Sequence, residues 1–129
     1  MPWTYIIRTG HLYAPDGTLA GTGYSGRGAS LNDPARTNRK AEGPLPVGEW
    51  DIGDDYDSPG HLGPVVMALT PIPGTEVFGR SLFRLHGDNG AANHTASDGC
   101  IIMSRTIREA VANSEDASLT VVAEEEDKP

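Results

Sequence analysis

The chain contains one cysteine, and its neighbours make it the first residue to weigh for chemistry. Cys100 follows Gly99, and His86, itself followed by Gly87, stands fourteen residues earlier. A thiol attacks as its thiolate, which needs a base or a cation beside it. Residues 81–86 alternate as a strand does and Ile101 opens another apolar run, so the histidine ends one strand and the cysteine begins the next. Two adjacent strand ends can bring an imidazole within reach of a thiol. Glycine before a nucleophile lets the main chain turn sharply, so that N–H groups point at a developing oxyanion. Gly87 would offer its carbonyl to the second ring nitrogen of His86 and so set the tautomer. By itself the spacing is weak evidence. A lone cysteine is more often a small buried apolar residue, and a strand-end histidine is often just hydrogen-bonded.

Further polar residues surround this pair in sequence. Arg84 lies two residues from His86 on the same strand, hence on the same face, and is a candidate to bind a carboxylate. Asp88 could orient His86, contact substrate or cap the following loop. Tyr24 and Ser25 could line the cleft or only pack. Ser97 and Asp98 lead into the Gly-Cys pair, where they could shape the turn or meet substrate. An anion at position 98 would raise the thiol pKa unless it points away. His94 is a surface residue or a substitute base, while His11 and His61 read as surface residues. Zinc hydrolysis through His86, His94, Cys100 and an aspartate is an alternative, but these spacings fit no common zinc pattern. A single cysteine also excludes an intrachain disulfide and a multi-thiolate metal site. No metal or cofactor is expected.

The elements that must hold these residues are predominantly strands. With 37% hydrophobic residues, 16 Gly and 10 Pro, the composition favours short strands joined by turns over a helix bundle. Strands are expected at 3–8, 11–14 and 18–22, then at 49–53, 64–72, 81–86, 101–103 and 118–123. Residues 23–43, 54–63 and 73–80 read as loops. Ser104 can cap a helix over 105–113 that puts Ile107, Ala110 and Val111 on one face, with Thr106 as a competing cap. One mainly β domain over 1–123 is expected, followed by an acidic tail, 124–129, that reads as a solvated end. The net charge of −8 and pI near 4.8 argue against nucleic acid as a partner. No apolar run approaches the ~20 residues that cross a membrane, and the first residues read as a strand and not as an export signal.

Longer strings narrow the field. The run from His86-Gly87 to Ser97-Asp98-Gly99-Cys100-Ile101 resembles the catalytic signature of L,D-transpeptidases. A closer resemblance is to a compact branch of that family, formerly a domain of unknown function, which includes L,D-transpeptidase-like effectors of type VI secretion. The shared motifs are a tryptophan-led N-terminal hairpin, Gly23-Tyr24-Ser25-Gly26, the proline-rich turn 43–48 before Trp50, the run 86–89, and the segment 97–102. The likeness covers about residues 3–112. It departs from ordinary L,D-transpeptidases at Asp98, where they keep a histidine, and at Ile102, where they keep a polar residue.

The resemblance implies an L,D-transpeptidase-like β-sandwich with one short helix after the cysteine. It implies Cys100 as nucleophile, His86 as base, and peptidoglycan stem peptides as substrate. It also implies delivery without a signal peptide into a target cell's periplasm, with a secretion-system component and an immunity protein as partners. A non-catalytic wall-binding β module is the alternative from a different class.

Overall fold

The computed structural model describes residues 2–58, 63–88 and 99–129. Among these residues the chain forms β1 (Trp3–Ile6), β2 (His11–Tyr13), β3 (Leu19–Thr22), β4 (Tyr24–Ser25), β5 (Gly48–Ser58), β6 (Gly63–Pro71), β7 (Arg84–His86), β8 (Ile101–Ile102), α1 (Arg105–Ala112) and β9 (Ser118–Val122). The mainly β content with one helix after Cys100 agrees with the reading of the sequence. The strands are hydrogen-bonded in a single order, β3-β2-β1-β9-β5-β6-β7-β8-β4. β3 and β4 stand at its two ends yet are separated in the chain only by Gly23, so the sheet curls until it is nearly closed. Gly23 lies at that seam, where its N–H donates to the Gly10 carbonyl at 2.8 Å. A Cβ there would run into the Ile102 carbonyl and come 2.7 Å from Met103 Sδ, so no larger residue fits.

The curled sheet encloses the core. Trp3, Tyr5, Leu12, Trp50, Met67 and Leu85 belong to one buried cluster that also takes in Ile101, Leu119 and Val121, the inward positions of alternating strands. Trp50 meets Phe83 edge-on, with ring centroids 4.9 Å apart, and its indole N–H donates to the Pro46 carbonyl at 3.1 Å. That bond anchors the proline-rich turn to the strand that follows it.

Several elements differ from the sequence reading. β5 runs on through Ser58, although 54–58 is polar enough to read as loop. Its backbone pairs with β6 at Asp55↔Met67 and Tyr56↔Val66, and ladder hydrogen bonds make no demand on side-chain polarity. The expected strand 81–86 shrinks to Arg84–His86, because Leu82 takes the left-handed conformation at φ 64°. The supposed loop 23–43 contains β4 and two 3-10 turns, Gly28–Ser30 and Pro34–Arg36. In α1 the Ser104 hydroxyl accepts from the Ile107 N–H, so the Ser104 cap prevails over Thr106. Val111 and Arg108 are its buried residues and Ala110 is exposed, which shifts the inward face toward Arg108.

The acidic end is docked. A 3-10 turn at Glu125–Asp127 places the Glu125 carboxylate where it accepts from Thr9 Oγ1 and the Tyr13 hydroxyl, both at 3.0 Å, and from His11 Nδ1. Arg8 pairs with Glu124 at 3.2 Å, and the Lys128 ammonium sits 3.9 Å above the Tyr13 ring. Burial would raise the Glu125 pKa, but the hydrogen bonds from Thr9, Tyr13 and His11 outweigh it and hold the carboxyl below its usual range. A carboxyl whose pKa falls on folding stabilises the fold above its unfolded value of about 4.3 and loses that contribution as pH drops through the folded value. Glu125→Gln should therefore lower the thermal midpoint at pH 7 by about 4 °C, as ~1 kcal/mol does in a chain of this size. The gap from wild type should close near pH 3, and a gap independent of pH would contradict this role.

Candidate active site

β7 and β8 run parallel, with Leu85 opposite Ile101 and His86 opposite Ile102. Leu85 and Ile101 point into the core. By alternation His86, Ile102 and Cys100 occupy the other face, and Cys100 packs there with Tyr24 and Ile102. The structure thus brings the two chemistry-bearing residues to one face of neighbouring strands, both buried at 3% and 8% exposure. The Met103 N–H donates to the His86 carbonyl at 3.0 Å and continues the pairing past the strand end.

Each partner is held by its own contacts. His86 Nδ1 lies 2.8 Å from the Gly87 carbonyl. A carbonyl only accepts, so this nitrogen carries a proton, and in the neutral imidazole the lone pair lies on Nε2, as expected from the glycine's place in the sequence. The Cys100 thiol donates weakly to the Leu82 carbonyl at 3.9 Å. The Cys100 carbonyl accepts from the Ser25 hydroxyl at 2.7 Å, and the Ser25 hydroxyl oxygen in turn accepts from the Leu45 N–H at 2.9 Å. One fully buried hydroxyl therefore joins β4, the Cys100 backbone and the proline-rich turn. Ser25, expected to line a cleft, is a buried bridge instead, because both of its hydrogen bonds are spent on main chain.

Two buried arginines flank the pair, and neither was singled out from the sequence. Arg80 donates to the Thr37, Gly43 and Pro44 carbonyls, the last two at 2.8 Å, and stacks over Phe83 at 5.4 Å. Arg108 donates from Nε to the Met103 carbonyl at 3.1 Å and from Nη1 to the Val65 and Pro64 carbonyls. Burial lowers the pKa of both guanidinium groups; for Arg80 the attraction of Cys100 acts in the opposite direction. Each lies against one of the two glycines. A Cβ on Gly87 would come 2.7 Å from Arg108 Nη2, and one on Gly99 would come 3.3 Å from Arg80 Cζ and still nearer Nη2. Gly99 also has φ +124°, which disfavours any side chain. The glycines thus make room for guanidinium groups as well as turns. Neither arginine has a local sequence signal for this, since the glycines they pack against lie 19 and 21 residues away in the chain.

The remaining candidates divide. The Asp88 carboxylate accepts from the Tyr24 hydroxyl at 2.7 Å. Both line a groove of about 550 Å³ with Leu31, Asn32, Ile102 and Arg108, so they flank the face that carries Cys100. Arg84 turns to the Tyr56 hydroxyl at 3.1 Å and the Leu82 carbonyl at 3.3 Å. Ser97, Asp98, His94 and His61 lie outside the described residues. Among the described residues no group of three or more His, Cys, Asp or Glu could hold a metal ion, and no helix is long and apolar enough to cross a membrane.

A protein-family model described as the Tlde1 domain matches residues 20–124. The chain belongs to the Tlde1 domain family. Neither a curated protein nor a solved structure matches it. The matched span of the Tlde1 domain runs from β3 through β9 and holds His86, Cys100, both buried arginines and Ser25. Removing the bridge should be costly. Ser25→Ala leaves the buried Cys100 carbonyl and Leu45 N–H without their shared partner, so urea unfolding should report a loss of about 2–3 kcal/mol at unchanged m-value. A change below about 0.5 kcal/mol would show that the bridge does not hold the Cys100 backbone.

Proposed function

We propose that this Tlde1 domain is a cysteine acyl-transferase acting on peptidoglycan stem peptides, with L,D-carboxypeptidase and L,D-transpeptidase outcomes. The observation that carries the reading is the parallel β7–β8 register, which gives His86 and Cys100 one face while the Gly87 carbonyl fixes the imidazole tautomer. The family's name suggests a type VI secretion effector, and the motif resemblance in the sequence points the same way.

Cys100 Sγ gives its proton to His86 Nε2 and attacks the carbonyl of the diaminopimelate residue in a tetrapeptide stem. The oxyanion is held by the main-chain N–H of Cys100 and a neighbouring N–H. Collapse breaks the bond to the terminal D-alanine, whose nitrogen leaves with the proton returned by His86. The thioester then passes its acyl group to water, to a free D-amino acid or to the amine of a second stem. These give a shortened stem, an exchanged stem or a crosslink. In this reading the chain is delivered into a target cell's periplasm, and an immunity protein guards the producer.

Tetrapeptide muropeptides incubated with the protein should lose terminal D-alanine, or exchange it when another D-amino acid is supplied, as read by mass spectrometry. Cys100→Ala should leave them unchanged, and His86→Ala should slow turnover by about 10²–10⁴-fold. Unchanged muropeptides with wild type would overturn the enzymatic reading. Toxicity that survives Cys100→Ala would favour a wall-binding module.

A further inference from the structure

The residues around Cys100 include a fixed positive charge that no part of the reaction above has used. Arg80 sits in the connection between β6 and β7, is 8% exposed, and lies against Gly99, the residue before Cys100. Its fork is held by the carbonyls of Thr37, Gly43 and Pro44. These carbonyls fix where the guanidinium sits beside the Gly99–Cys100 backbone. Phe78 before it and Leu82 after it take left-handed conformations, at φ 56° and 64°, so a strained connection delivers this side chain to its place. The Leu82 carbonyl is also the group that receives the Cys100 thiol.

We infer that Arg80 is a positioning residue with two linked tasks. It clamps the proline-rich turn onto the Gly99–Cys100 backbone, and its charge sustains the Cys100 thiolate. The inference rests on the reading of Cys100 as a nucleophile. The other charged and titratable groups near this face are His86 and Arg84 on β7, Tyr24 on β4 and Asp88 just beyond β7; Asp98 lies outside the described residues. Arg84 is turned to Tyr56, and the Asp88 carboxylate is engaged by Tyr24. The attraction runs both ways: the thiolate favours the charged guanidinium, so the guanidinium favours the thiolate by the same amount. Arg80 thereby offsets the burial of Cys100, which disfavours a bare anion.

Cys100 is the single cysteine of the chain, so alkylation by iodoacetamide reports on it alone and needs no stem peptide. The rate followed from pH 5 to 10 should give a wild-type midpoint below the ordinary thiol value of about 8.5. Arg80→Met should move the midpoint up by about one pH unit, so that alkylation at pH 7 slows about tenfold. Arg80→Lys keeps the charge without the three-carbonyl fork and should fall between them. A folded Arg80→Met protein with the wild-type midpoint would overturn the inference. Should Arg80→Met fail to fold, a wild-type midpoint at or above about 8.5 does the same. A lowered midpoint that depends on Arg80, found with muropeptides unchanged, would support the clamp and count only against the substrate assignment.

Discussion

The site depends on one short parallel pairing. β7 and β8 share only two register pairs, Leu85↔Ile101 and His86↔Ile102, yet that register decides which face each residue takes. A slip of one position would send Cys100 into the core and Ile101 to the outer face. Two pairs are too few to hold a register unaided. Leu85 and Ile101 lock it from within by burial at 4% and 1% exposure, and the Met103 N–H extends it beyond the strand ends. From outside it is held by two buried guanidinium groups, Arg108 against Gly87 and Arg80 against Gly99.

Closure of the sheet completes the arrangement. Because β3 and β4 stand at opposite ends of the strand order with Gly23 between them, Tyr24 and Ser25 cross the seam and pair with β8 at Ile102 and Ile101. Tyr24 then joins Cys100 on the outer face while Ser25 turns inward to hold the Cys100 carbonyl. The proline-rich turn is gripped from three sides, by Ser25 at Leu45, by Arg80 at Gly43 and Pro44, and by the Trp50 indole at Pro46. Motifs more than fifty residues apart in the sequence therefore converge on one peptide unit, which gives a physical reason for their occurring together in one chain.

What could be read from the sequence was whatever has a local signature. Alternation placed most strands within a few residues, Ser104 announced its helix, and Gly87 announced the carbonyl that orders His86. What could not be read arises from long-range contacts. Arg80 and Arg108 resemble surface residues until the carbonyls of Thr37, Gly43, Pro64 and Val65 are folded around them. Ser25 looks like a cleft residue because a hydroxyl carries no sign of which partners it will meet. Residues 54–58 read as loop because their side chains are polar, whereas their place in β5 is set by backbone pairing to β6. The acidic end gave no hint that Thr9, His11 and Tyr13 would converge on Glu125.

In the proposed reaction the ordered imidazole, the thiol on the same face and the fixed cation serve one end: Cys100 carries the acyl group between donor and acceptor. Acid quenching of the protein with a tetrapeptide stem, followed by peptide mapping with mass spectrometry, looks for that intermediate directly. The prediction is a tripeptide acyl group on Cys100 at short times, released by hydroxylamine as thioesters are. Consumption of the stem while Cys100 stays unmodified, or an acyl group mapped to any other residue, would contradict it.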